Sequence, residues 1–217
     1  MRKLFQLLVL FALVILLFGC TKNINGENQG ADSRTDGSGH TGTPASEEQV
    51  NILVEKSRNL YEIQETDYVA VDSKNENTER GTKIVSNRPD SFDGKSARLV
   101  TEEINININD LRSTITSRTW IDSNNGCLKR SLTSTVNGKT SELQQDCPEG
   151  EMEFFSLEKD GRVGYEGEET VVVPFGTYPA KRYNLGVVGT YWISDGIPVP
   201  LKITKGTITM KLVAYKN

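Results

Sequence analysis

The chain has 217 residues, with 25 Lys and Arg against 29 Asp and Glu, and a formal charge of −4. A mildly acidic chain without clustered basic residues lacks the electrostatic footprint of a nucleic-acid binder, and it offers no polybasic patch to anionic lipid. One histidine and three cysteines narrow the available chemistry further.

Arg2 and Lys3 open the chain, and Leu4 to Phe18 then runs without a polar side chain except Gln6. About fifteen apolar residues is short for a transmembrane helix, which needs roughly twenty. It suits the apolar core of an export signal behind a charged start. Leu17, Gly19 and Cys20 match a lipobox, and the stretch resembles a lipoprotein signal peptide. The resemblance implies that residues 1–19 are removed and that Cys20 carries lipid as the new first residue. It places the protein at a cell membrane or envelope, facing outside the cytoplasm. One acyl chain anchors only marginally, so stable attachment takes two or more. The signal holds two of the basic residues, which leaves the rest of the chain at −6.

Residues 20–45 form the next segment. Thr21 to Ala45 is rich in Gly, Asn, Ser and Thr, with Ile24 as its large apolar residue. Such a stretch cannot bury enough surface to offset its ordering entropy and reads as a flexible tether. As a random coil it would hold the following domain about 25–30 Å from the anchor. Residues 46–217 are enough for one domain with a real core.

Ser46 is a good N-cap, Glu47 and Glu48 suit the positive helix end, and Gln49 stands where a capping box needs it. Val50, Leu53, Val54, Ser57, Leu60 and Tyr61 recur at helical spacing, which predicts a helix over 47–60. The period then changes to two. Tyr68 to Asp72 reads as a strand, Asn75 to Gly81 as a turn, and Thr82 to Ser86 as a short strand before Arg88-Pro89. Ile104, Ile106 and Ile108 alternate with Asn105, Asn107 and Asn109, as in a sheet with one buried face. Ile115 to Ile121 continues the β pattern and carries Trp120.

Asn137-Gly138 signals a hairpin within 127–147. A two-residue turn pairs Leu132 with Leu143 and sets Leu128 opposite Cys147. A three-residue loop sets Cys127 opposite Cys147 but loses the leucine pair. One β-bulge between turn and cysteines reconciles the two. With Cys20 taken by lipid, Cys127 and Cys147 form an even pair, and an exported chain meets oxidising conditions in many organisms. A bridge closing about 20 residues stabilises by roughly 3 kcal/mol in the chain-entropy model. Two free thiols remain the alternative in a reducing setting. Beyond the hairpin, short strands are expected at Glu151–Leu157, Val163–Glu166, Glu169–Val173, Ala180–Leu185, Thr190–Ser194, Pro200–Lys205 and Thr207–Tyr215. Turn residues fall between them at Asp160-Gly161, Pro174–Pro179, Gly186–Gly189 and Asp195-Gly196. Evenly spaced short strands point to an antiparallel sheet, curved or half-closed.

Trp120-Ile121-Asp122 followed by Gly126-Cys127-Leu128, the stretch Val171 to Tyr178, and Tyr191 to Lys202 resemble segments of the LolA/LolB-like lipoprotein-carrier superfamily, over about 60–217. The resemblance implies a mostly β, α+β domain: a strongly bent antiparallel sheet, a half-barrel, with helix on its open side and an apolar cavity for acyl chains. This chain offers one helix where the family uses several.

Enzyme chemistry finds little support. The sole histidine, His40, lies in the tether, so the folded domain lacks the imidazole of a Ser-His-Asp or Cys-His device. Two cysteines without a domain histidine do not make a zinc site. Asp122 to Gly126 has the start of a calcium loop, but Thr133 stands where the bidentate glutamate belongs, and a plain turn is favoured. Glu102-Glu103 and Glu168-Glu169 read as solvated charges on opposite strand faces. The remaining candidates are aromatic: Trp120, Phe154, Phe155, Tyr183, Tyr191 and Trp192 could line an apolar cavity, with ordinary core filling as the rival reading. Tyr191 and Trp192 are adjacent, so a strand turns only one of them inward. The expected function is a non-catalytic binding module or carrier for a lipid or other apolar ligand, without cofactor or metal. The alternative is a structural or protein-interaction lipoprotein with a solid core. The expected partners are the membrane through Cys20 and that ligand, not nucleic acid, with the domain acting as a monomer.

Overall fold

The computed structural model describes residues 42–108, 111–124, 126–145, 147 and 163–217. Cys20, Phe154 and Phe155, the strand expected at 151–157 and the turn at 160–161 lie outside them. The architecture is α+β and mostly β: among the described residues, a single α-helix and one bent antiparallel sheet that does not close into a barrel.

The helix α1 spans Glu47–Asn59 and begins as its sequence dictates. Gln49 donates its backbone N–H to Ser46 Oγ at 3.3 Å, and Ser46 returns its own to Gln49 Oε1 at 2.9 Å, a complete capping box. Glu47 and Glu48 sit in the first turn, Lys56 and Arg58 in the last, each matched to the helix dipole. Leu53, Val54 and Ser57 are buried.

Among the described residues the sheet is 12-stranded. Its strands are β1 (Thr43–Pro44), β2 (Glu65–Asp72), β3 (Glu79–Phe92), β4 (Lys95–Ile108), β5 (Leu111–Ile121), β6 (Cys127–Val136), β7 (Lys139–Gln145), β8 (Gly164–Val173), β9 (Gly176–Asn184), β10 (Thr190–Ile193), β11 (Lys202–Lys205) and β12 (Ile208–Lys216). The order is β1-β8-β9-β10-β11-β12-β2-β3-β4-β5-β6-β7, so two meanders meet along the β12–β2 pair. Thr43 and Pro44, tether by composition, join the sheet by pairing with Tyr165 and Gly164.

Two prolines correct the expected strand ends. β3 does not stop before Arg88-Pro89 but runs to Phe92. β2 pairs with β3 only as far as Ser86, so Pro89 lies along an open flank where its missing N–H leaves no ladder bond unmade. The Pro174–Pro179 turn is likewise shorter than expected. β9 resumes at Gly176, and Pro179 is tolerated because β10 reaches along β9 only to Lys181. The expected turn over 75–81 ends early too, at Glu79, with Arg80 bulged out between Val71↔Glu79 and Ala70↔Gly81. The two strands expected at 163–166 and 169–173 are one, β8, with a bulge at Glu166.

The hairpin of β6 and β7 resolves the register question. Asn137 and Gly138 have φ of 48° and 80°, the left-handed pair of a two-residue turn, and Leu132 pairs with Leu143. Against β5, Trp120 pairs with Lys129 and Ile121 with Cys127, which leaves Leu128 bulged out. That bulge shifts the cysteine onto the other phase. Cys127 and Cys147 stand at disulfide distance, Cα to Cα 5.6 Å.

The core lies on the face bearing Tyr68, Val85, Val100 and Leu212, which share one cluster with Leu53, Leu60 and Tyr61 of the helix and its exit. We call this the inner face. The connection between β10 and β11 is clasped there. Lys56 Nζ donates to the carbonyls of Asp195 (3.1 Å) and Ile197 (2.7 Å), and Asn59 Nδ2 to that of Pro198 (2.9 Å). From the sheet side, Tyr68 Oη donates to Pro200 O at 2.8 Å. Ile197, Val199 and Leu201 are all buried.

Candidate functional site

The four described aromatic candidates divide between the two faces. Register sets Tyr183, Tyr191 and Ile203 in one row of the inner face, continuing to Met210 and Ala70. Tyr191 and Tyr183 are buried among core residues. Burial pushes the Tyr191 phenol well above its ordinary value and that of Tyr183 up to about 12. Tyr183 Oη has no hydrogen-bond partner among the described residues.

Trp192 points the other way, in a row with Arg182, Lys202 and Lys211. Its indole is sandwiched by the Arg182 guanidinium (5.4 Å) and the Lys202 ammonium (4.7 Å), and its Nε1 donates to Glu169. Glu76 ties Lys202 and Lys211 together from the 73–78 loop. Trp120 is also on the outer face, between Leu99 and Lys129. There it meets Phe92 at 6.1 Å, donates Nε1 to Asp90 at 3.2 Å, and shares the Lys129 ammonium with Phe92. The structure thus brings Tyr183 and Tyr191 together and sets both tryptophans on the opposite side.

A polar group that the sequence reading missed sits on the inner face. Glu102, expected among the solvated charges, is instead only 13% exposed and pairs with Lys83 at 3.0 Å. Tyr61 gives it a hydrogen bond and Arg130 adds positive charge. Burial pushes the Glu102 carboxyl up, and the Lys83 charge and hydrogen bond, with Arg130 and Tyr61, outweigh it and hold the group below the usual glutamate value. Arg130 also reaches Ser117 Oγ at 3.4 Å. Burial raises the Tyr61 and Tyr68 phenols well above theirs. The signal was in the alternation: Glu102 is in phase with Val100, Ile104 and Ile106, Lys83 with Val85, and Arg130 with Leu132. Charges at apolar-phase positions on β3, β4 and β6 of one face have to pair with one another. Glu103, by contrast, faces out and accepts from Asn105 Nδ2 at 2.9 Å.

A cleft of about 410 Å³ opens at the β1–β8 edge, lined by Gly42, Thr43, Tyr165, Glu166, Gly167 and Arg182. Its lining is polar, and Arg182 Nε is held by Glu166 at 2.7 Å. The Asp122 carboxylate is taken up by the backbone N–H groups of Asn124 and Gly126, both at 2.8 Å, as in a plain turn. Among the described residues no group of three His, Cys, Asp or Glu is placed to hold a metal. No family model and no curated protein matches the chain.

Proposed function

We propose that the protein is a lipid-anchored extracytoplasmic module, tethered through Cys20, that acts by binding without a covalent step. Of the two binding readings, the packing supports a solid scaffold for protein contacts over an apolar carrier. One observation carries this. In a LolA/LolB-like carrier the acyl chain would enter between helix and sheet, and here Ile197, Val199 and Leu201 fill that space, clamped by Lys56, Asn59 and Tyr68. Glu102 on the inner face is engaged by Lys83 and Arg130, and the cleft at the sheet edge has polar walls unsuited to an acyl chain.

Titrating delipidated protein with a fluorescent fatty acid tests the choice. The scaffold reading expects no saturable uptake; stoichiometric, saturable binding would overturn it in favour of the carrier. Mass spectrometry of the native N-terminus tests the anchor, which expects a lipid-modified Cys20.

A further inference from the structure

The two ends of the sheet differ. At one end β7 is exposed along Lys139–Gln144, a polar strand with Lys139 and Glu142 of opposite sign and Leu143 at 49% exposure. Charges and polar side chains of this kind blunt an edge. At the other end β1 covers only Gly164 and Tyr165 of β8. From Gly167 to Val173 the outer flank of β8 has no strand partner among the described residues. That flank exposes Glu168, Thr170 and Val172, and Val172, at 67%, exceeds every other large apolar side chain described.

The flank also has a chemical polarity. β8 holds Glu166, Glu168 and Glu169 and no basic residue. The neighbouring β9 supplies Lys181 and Arg182, but Arg182 is held by Glu166 and Lys181 by Asp195 at 3.2 Å. The carboxylates therefore exceed the cations by two, with Glu168 unpaired among the described residues. Beyond them the strand turns apolar at Val171–Val173. The bulge at Glu166 marks where the β1 ladder ends and the open flank begins.

We infer that the Gly167–Val173 flank of β8 is a β-augmentation site for an extended segment of a partner protein. The segment carries Lys or Arg beside Glu168 and Glu169 and apolar side chains beside Val172. Main-chain ladder bonds supply the affinity and the charge and apolar pattern supply the choice of partner. A second copy fits less well, because pairing two such flanks brings acidic strands together. The Gly-rich residues 35–41 of this chain fit less well too, because ordering glycine in a strand is entropically unfavourable. The inference rests on the scaffold reading and names its class of partner.

The test is amide hydrogen exchange on the full-length lipidated protein in micelles, with a short synthetic peptide alternating lysine and valine. The amides of 167–173 are expected to exchange about tenfold more slowly with peptide than without, an effect that weakens at high salt. A matched glutamate–valine peptide should give no protection. The exposed changes Glu168→Lys and Val172→Lys should each weaken peptide binding about fivefold while leaving thermal unfolding unchanged. Absence of protection over 167–173 overturns the site. So does protection without peptide, whether it rises with protein concentration (a second copy) or is independent of it (another segment of this chain). Failure of the scaffold reading is seen separately, as saturable fatty-acid uptake.

Discussion

The inner and outer faces of this sheet both hold aromatic and charged residues but use them differently. Inside, the buried Tyr61, Tyr68 and Tyr191 lie beside the half-buried Glu102, Lys83 and Arg130, where water only partly replaces a lost partner. Outside, half-buried Trp120 lies against Lys129, a contact that solvent screens, while Trp192 is itself buried between Arg182 and Lys202. The same residue types stabilise the fold on one side and shape its surface on the other.

Alkali should separate the faces most sharply. The inner tyrosines have raised pKa values, so their contribution is complete below the ordinary phenol value near 10. It is lost as pH rises through the folded values, beginning with Tyr183 at about 12. Circular dichroism should show cooperative unfolding in that range, with tyrosine ionisation following the unfolding. Free ionisation of all tyrosines near pH 10 without unfolding would remove the distinction.

Breaking the inner ion pair comes next. Glu102→Leu leaves Lys83 buried without its carboxylate and should cost about 3–5 kcal/mol in urea unfolding. Adding Lys83→Met is expected to recover part of that loss. Glu102 also has a lowered pKa, so its contribution is present above the ordinary carboxylate value and lost as pH falls through the lower folded one. The double variant should lack that acid-side loss of stability. Leu201→Ala, which opens a cavity between α1 and the sheet, should cost about 2–4 kcal/mol by the same measurement. On the outer face, Lys129→Ala removes one cation shared by Phe92 and Trp120 and should cost only about 0.5–1 kcal/mol. An effect at Lys129 as large as that at Glu102 would erase the contrast.

Features that depend on neighbours in sequence were legible. The Ser46–Gln49 box, the Asn137-Gly138 turn and the Ile104–Ile106 alternation each state their geometry within a few residues. Even the Leu128 bulge was implied, because the leucines and the cysteines required different registers. What depended on the lengths of other strands was hidden. Pro89 and Pro179 read as stops because nothing local says that the flanking strand has already ended. The facing of Trp120 and the buried Glu102–Lys83 pair required a register running across several strands. The alternation carried that register, but only once the strand order was known.

The β12–β2 seam has a consequence in time. The strands β2 to β7 can zip as successive hairpins, each closing soon after its residues are made. β8 to β12 can do the same, but the two sets become one sheet only when Ile208–Lys216 pairs with Glu65–Asp72. Those partners are far apart in the chain, so closing the seam is a slow, non-local step. The inner face waits on the same event, because the 194–201 segment that α1 grips belongs to the later set. A chain that loses its last nine residues should therefore be left as two half-sheets, not as one sheet with a frayed edge.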